Sequence, residues 1–343
     1  MPQNFLTKFA YFFYALGVNL RLALYRAKIL KTYQLNAPVI SVGNITFGGT
    51  GKTPCAAYIA NYLCSEGFNV AILSRGYKRE SKGRVEVSNG SEILCGPNIS
   101  GDEPHLLAQQ CPGVRVVVDA DRYAAGKWLE SQTKIDVFIL DDGYQHLRLH
   151  RDLNLLLMDA TTDFDSVLNF REPLEAMDRA DAVIITRASQ LSDREYFLRK
   201  VQKYCQPKTP IFFADHQITG FRSLTEIGRK VPASSVNYFA VAAVSGIGNP
   251  ERFEFDLKNL GMKIVKHFIF EDHHRYTQND LENIFQQTAE LGGEAIVTTE
   301  KDAANFQSQI LSELKIPIYA AQLEFECTED QELKRRLLDV LAP

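Results

Sequence analysis

Ala37-Pro-Val-Ile-Ser-Val-Gly-Asn-Ile-Thr-Phe-Gly-Gly-Thr-Gly-Lys-Thr-Pro54 is the stretch that decides the fold. Val39, Ile40 and Val42 form a short apolar run that reads as a buried strand. Gly48, Gly49 and Gly51 follow as a turn, then Lys52-Thr53, then a helical pattern through Ala56, Ala57, Ile59, Ala60 and Leu63. Strand, glycine turn, Gly-Lys-Thr and helix together read as a phosphate-binding loop. Glycines let consecutive backbone N–H groups turn toward phosphate oxygens with no Cβ in the way. The start of the following helix adds partial positive charge. Residues Thr46, Phe47, Gly48, Gly49, Thr50, Gly51, Lys52 and Thr53 are therefore expected to hold a nucleotide, with Lys52 on the β/γ-phosphates and Thr53 on Mg²⁺. Pro54 suits a first helical turn, where no N–H is needed. Thr46 stands where the strict pattern has its first glycine.

Working outward, an acidic strand is needed to organise the metal. Val137-Phe-Ile-Leu-Asp-Asp142 provides it: four apolar residues run into Asp141-Asp142, with Gln145 and His146 just beyond. Asn69–Leu73 reads as another strand, opening into the basic Ser74-Arg75-Gly76-Tyr77-Lys78-Arg79 loop. Gly101-Asp102-Glu103-Pro104 opens a helix, and by position alone its acids read as cap and dipole partners. Continuous apolar runs at Leu153–Met158 and Ala182–Ile185 suit a parallel sheet buried on both faces. Arg171-Glu172-Pro173 lies in a loop between them.

Strands alternating with helices imply a doubly wound, mainly parallel α/β domain resembling the phosphate-binding-loop NTPases over 36–216. Residues 217–236 are polar and irregular and read as a linker. A smaller α/β domain is expected over 237–343, starting with a strand at Tyr238–Val244 and the turn Gly246-Ile-Gly-Asn-Pro250. In it, Glu271-Asp272-His273-His274 looks metal-like, but adjacent histidines rarely share one ion, so a histidine oriented by Asp272 is the sharper reading. Thr298-Thr299-Glu300-Lys301-Asp302 is a polar strand end with no assigned role.

The N-terminus has its own character. Phe5, Phe9, Phe12, Phe13, Leu16, Leu20 and Leu24 share one helical face. No acid precedes Glu66, whereas Lys8, Arg21, Arg26, Lys28, Lys31 and Lys52 do, on a chain of formal net charge −4. The uncharged run from Phe9 to Leu20 is short of the ~20 residues a membrane span needs. An amphipathic helix within 1–35, lying on an anionic lipid surface, is expected. With 343 residues, 45% hydrophobic and 23% charged, the rest is ordinary globular material with no global demand for nucleic acid. Six scattered cysteines with no CxxC pair suit reduced thiols.

These pieces in this order resemble one family, the tetraacyldisaccharide 4'-kinases of lipid A biosynthesis. The resemblance rests on the basic N-terminus, Gly43-Asn44, Gly48-Gly49-Thr50-Gly51-Lys52-Thr53-Pro54 and Ser74-Arg75-Gly76-Tyr77. It continues through Gly101-Asp102-Glu103-Pro104, Asp141-Asp142-Gly143-Tyr144-Gln145-His146 and Arg171-Glu172-Pro173. Gly246-Ile247-Gly248-Asn249-Pro250, Asp272-His273 and Thr299-Glu300-Lys301-Asp302 complete it, so it spans nearly the whole chain. The family's loop carries no glycine at the Thr46 position.

The resemblance implies transfer of the ATP γ-phosphate to the 4'-hydroxyl of a tetraacylated glucosamine disaccharide 1-phosphate. It implies ATP and Mg²⁺ as cofactors and a place on the cytoplasmic face of the bacterial inner membrane, peripheral or monotopic. The partners are the lipid and the anionic membrane surface, without nucleic acid or an obligate protein partner. By matching motifs, Thr53, Glu103, Asp141 and Asp142 serve the metal, Lys52 the phosphates, and Asp102 with His273 the sugar hydroxyl. Arg75, Arg122, Gln145, His146 and Arg171 are candidates for substrate or transition-state charge. The rival from another class is a membrane-recruited ATPase switch. A GTPase would carry a guanine-reading Asn-Lys-x-Asp, and Thr186-Arg187-Ala188-Ser189 stands in its place.

Overall fold

A computed structural model describes residues 5–226, 229–235, 240–306 and 316–342. Tyr238 and the side chains of Phe5, Lys8, Phe9 and Phe12, assigned above to a strand and a helix face, lie outside the described residues.

The first strand shows how sequence becomes layer. β1 (Val39–Gly43) is wholly buried, and its successive side chains enter different cores. Val39 packs with Leu73, Phe138 and Leu140 on one face, while Ile40 and Val42 pack with Ile72 and Ile139 on the other. A strand covered on both faces needs apolar residues at consecutive positions, as the continuous runs suggested. After the helix α1 (Phe5–Arg26) come β1, α2 (Lys52–Ser65), β2 (Val70–Ser74), β3 (Val85–Asn89), α3 (Pro97–Ser100), α4 (Asp102–Gln110) and β4 (Arg115–Val118). They are followed by α5 (Arg122–Gln132), β5 (Val137–Asp141), β6 (Leu153–Asp159), β7 (Ala182–Thr186), α6 (Arg194–Tyr204) and β8 (Ile211–Ser223). The chain continues with β9 (Lys230–Pro232), β10 (Ala240–Ser245), α7 (Pro250–Asn259), β11 (Lys263–Ile269), α8 (Gln278–Glu290) and β12 (Ala295–Thr299). It ends with α9 (Glu300–Ala303), β13 (Ile318–Cys327) and α10 (Asp330–Asp339).

Among the described residues, one 13-stranded sheet runs β11-β10-β12-β13-β8-β7-β6-β1-β5-β2-β4-β3, with β9 beside β8. β1 lies between β5 and β6, parallel to both. The loops after β1 and β5 therefore open at the same edge, where ligands of parallel sheets bind.

The polar stretch expected as an irregular linker is largely strand. β8 begins parallel to β7 and continues antiparallel to β13 from Ala214 to Ser223. Gln217 and Thr219 point outward while Ile218 and Phe221 are buried. This period-two pattern, interrupted by Gly220 and Arg222, looks irregular when scored only for apolar content. The smaller α/β part over 240–342 thus shares its sheet with the first part.

Candidate active site

The phosphate-binding loop joins β1 to α2, with Gly51 as N-cap in left-handed conformation (φ 78°). The loop is tied to the end of β7. Thr186 Oγ1 donates to the Thr50 carbonyl at 3.1 Å, and Arg187 donates to the Gly49 carbonyl at 3.3 Å. A Cβ at residue 51 would lie 1.9 Å from His216 Nε2, so only glycine satisfies both the backbone angle and the space. Thr46 pairs antiparallel with Phe170, and the Phe47 N–H donates to Asn169 O at 2.8 Å. Thr46 is thus held by strand-like pairing, which explains why no glycine is needed there.

That pairing carries Arg171 into the site. Its guanidinium contacts both Asp142 oxygens, at 3.3 and 3.1 Å, and lies over the Phe47 ring at 5.9 Å. Lys52 Nζ stands 3.6 Å from Asp142 Oδ1. Burial works to raise the Asp142 carboxyl, but Lys52 and Arg171 outweigh it and leave it lowered. Asp141 behaves oppositely. It is 2% exposed, accepts from Ser74 Oγ at 3.2 Å on Oδ2, and has no partner on Oδ1. Burial first, then the Glu103 and Asp142 charges, push it up to about 7.

Asp141 tests the fit of a divalent cation. A buried carboxylate with an orphaned oxygen, within reach of the Glu103 and Asp142 charges, is a position that a cation would relieve. Among the described residues, no three acidic, histidine or cysteine groups already enclose a metal site. The open oxygen of Asp141 suits Mg²⁺, which keeps several waters and borrows ligands from substrate phosphates. The residues present therefore fit the ion.

The second cluster spans the chain. His273 Nδ1 is 2.8 Å from Asp102 Oδ2. The helix-start reading of Asp102 as a cap is corrected: α4 has no side-chain cap bond, and this carboxylate faces His273. Burial tends to raise Asp102, but hydrogen bonds from His273 and Asn305, with the Lys301 charge nearby, leave it lowered. Orientation of His273 by Asp272 is also corrected, since Asp272 Oδ2 is 3.8 Å from Nε2, beyond hydrogen-bond length. The Tyr77 ring sits 5.8 Å from the His273 ring.

The remaining candidates separate. Arg122 is buried, donates to Ala120 O at 2.8 Å, and is lowered to about 10 by burial and then by Arg75. Arg75 is exposed at the end of β2. Gln145 Nε2 donates to Asn44 O at 2.8 Å, holding the loop that follows β1. His146 is buried; burial and then Arg122, Arg151, Arg21 and Arg148 push it down to about 3, which keeps it neutral. Sequence reasoning missed Ser74, Thr186, Arg187 and His216 as supports of the site. Only the Ser74 position, at a strand end entering a singled-out loop, offered a signal.

The profile of the tetraacyldisaccharide-1-P 4'-kinase family matches residues 3–342. The chain belongs to that family. The tetraacyldisaccharide 4'-kinase of Pelobacter propionicus is 39% identical over 334 residues, covering 96% of this chain and 90% of that one. That of Aquifex aeolicus is 35% identical over 338 residues, with 98% of each covered. A crystal structure of Aquifex aeolicus LpxK in complex with ATP superposes with a TM-score of 0.80 at 32% identity, covering 100% of both chains. The sequence expectations for the α/β fold and for an ATP-dependent kinase hold, and the rival ATPase switch is set aside.

Proposed function

We propose a division of labour for an ATP-dependent tetraacyldisaccharide 4'-kinase of this geometry. Lys52 and the loop amides from Thr46 to Thr53 hold the ATP phosphates. Asp141, Thr53 and Glu103 hold Mg²⁺, which, when bound, neutralises charge on the transferring group. Asp142 anchors Lys52 and Arg171, and Arg171 is thereby placed to meet phosphate charge. Asp102 accepts the proton of the sugar 4'-hydroxyl as its oxygen bonds to the γ-phosphorus and the bond to ADP breaks. That proton leaves late in a loose transfer, so Asp102 chiefly aims the nucleophile. The observation carrying this reading is the Asp102–His273 contact at 2.8 Å between residues 171 apart in sequence.

The membrane side rests on α1. Phe13, Leu16 and Leu20 expose 55%, 55% and 60% of their surface at helical spacing, an apolar face. The other side of α1 is tied to the site: Tyr11, Tyr14 and Arg21 donate to the carbonyls of Phe170, Arg171 and Gln145. A cleft of about 570 Å³ between α1 and the 173–176 turn suits part of an acyl chain. Among the described residues no helix is long and apolar enough to cross a membrane. We propose that residues 1–35 lie on the cytoplasmic face of the inner membrane as a peripheral or monotopic element. Residues 36–216 and 237–343 are working units that meet at Asp102 and His273.

The test is transfer of labelled γ-phosphate from ATP to tetraacyldisaccharide 1-phosphate in detergent micelles, with Lys52→Ala as control. Transfer abolished in that variant is expected. Undiminished transfer would remove Lys52 from the phosphate site.

A further inference from the structure

The Thr299-Glu300-Lys301-Asp302 segment has no place in the mechanism so far, yet its side chains are firmly held. Asp302 is 1% exposed. It accepts from the Gly246 N–H at 3.1 Å, Tyr276 Oη at 3.1 Å and Thr299 Oγ1 at 2.6 Å. Gly246 is required for that approach, because a Cβ there would stand 2.9 Å from Glu271 O and 3.0 Å from Asp302 Oδ1. Buried Glu300 accepts from Gln110 Nε2 at 2.6 Å, and Gln110 closes α4, the helix that Asp102 opens. The two residues flanking Lys301 thus lock α9 to the His273 turn and to the Asp102 helix together.

Between them, Lys301 Nζ reaches Asp272 Oδ1 at 2.7 Å and His273 Nε2 at 3.4 Å. An ammonium group has donors only, so Nε2 facing it must offer a lone pair. Asp272 Oδ2, the alternative partner for a protonated Nε2, is farther away at 3.8 Å. Nδ1 then carries the hydrogen and donates it to Asp102 Oδ2. His273 itself has φ 68°, a left-handed conformation uncommon outside glycine, held by its N–H on Gly246 O at 3.2 Å.

We infer that Lys301 is a positioning residue that fixes His273 as the Nδ1–H tautomer, so that Asp102 keeps the His273 hydrogen bond that orients its carboxylate for the substrate hydroxyl. The inference rests on the reading of Asp102 as the group that receives the hydroxyl proton. Without the ammonium group, an imidazole is free to place its hydrogen on Nε2, toward Asp272, which turns a lone pair on Nδ1 against the Asp102 carboxylate. Asp102 would then lose its bond from His273, while the Asp302 and Glu300 contacts that hold α9 stayed in place.

The experiment is ¹⁵N–¹H correlation of the His273 imidazole in the full-length protein, at a pH well above the ordinary imidazole range, together with steady-state kinetics. Wild type should show the Nδ1–H form. Lys301→Met should populate the Nε2–H form and lower kcat by about 10- to 100-fold, by analogy with groups that orient metal-bound histidines, with KM for ATP unchanged. Lys301→Arg should restore the tautomer and most of kcat. An Nε2–H imidazole in wild type, or an unchanged Nδ1–H form in Lys301→Met, overturns the inference. Wild-type kcat in Asp102→Ala would instead defeat the proton-acceptor reading while leaving the tautomer result intact.

Discussion

At the scale of single residues, the neighbouring aspartates show how position within a few ångströms separates roles. Asp141 ends a buried strand and is raised to about 7, whereas Asp142, one residue on and facing Lys52 and Arg171, is lowered. The sequence showed the pair but could not divide it, because the division depends on Arg171, which lies 29 residues away. His146 yields a prediction at this scale. Its folded pKa is near 3, below the ordinary value of 6.5, so the unfolded chain binds a proton over that window and the folded chain does not. Stability from this group is therefore complete above pH 6.5 and is lost as pH falls toward 3. At pH 5 the loss should be about 2 kcal/mol. His146→Asn should flatten melting temperature against pH between 6.5 and 4 relative to wild type; parallel curves would show that the imidazole is protonated in the fold.

At the scale of elements, α1 presents two different faces. Its hydrogen bonds to the carbonyls of Phe170, Arg171 and Gln145 reach the segments that carry Arg171 and hold the first loop. Its opposite face leaves Leu16 and Leu20 in solvent. Removing apolar area from a membrane-facing surface costs roughly 25 cal/mol per Å², and two carboxylates add repulsion from anionic lipid. Leu16→Asp with Leu20→Asp should therefore abolish sedimentation with anionic vesicles and raise KM for the lipid acceptor, leaving KM for ATP unchanged. Retained vesicle binding would remove this face from the membrane contact. The basic, acid-free N-terminus was visible in sequence, but its anchoring to the Arg171 loop was not, since those contacts use backbone carbonyls that no side-chain pattern reports.

At the scale of the whole molecule, the site exists because two distant parts of one sheet face each other. Asp102 comes with α4, packed against β3 and β4, and His273 follows β11, at the opposite end of the strand order. The Lys78–Asp272, Arg275–Glu80 and Gln110–Glu300 contacts join the same two regions. Paired groups act as a unit, so their losses do not add. Asp102→Ala and His273→Ala should each lower kcat by roughly 10²- to 10⁴-fold, and the double variant should fall little further than the worse single one. Fully additive losses, in the same micellar assay, would mean that the residues act separately.

By itself the sequence determined the loop from Gly48 to Thr53, the acidic strand end at Asp141-Asp142 and the parallel α/β class. These are local: each depends on spacing within a dozen residues, where backbone conformation and burial period are written directly. It also carried enough ordered motifs to indicate the family. Only the tertiary structure decided that 217–223 is a strand joining both parts into one sheet and that Lys301 stands behind His273; it also put a distance on the Asp102–His273 pairing, which the resemblance implied but no local pattern records. Those facts arise from β8 pairing with β13 and from Asp302 and Glu300 anchoring α9 between separated elements. Contacts of that range are selected by how whole surfaces pack, and no short window of residues records them.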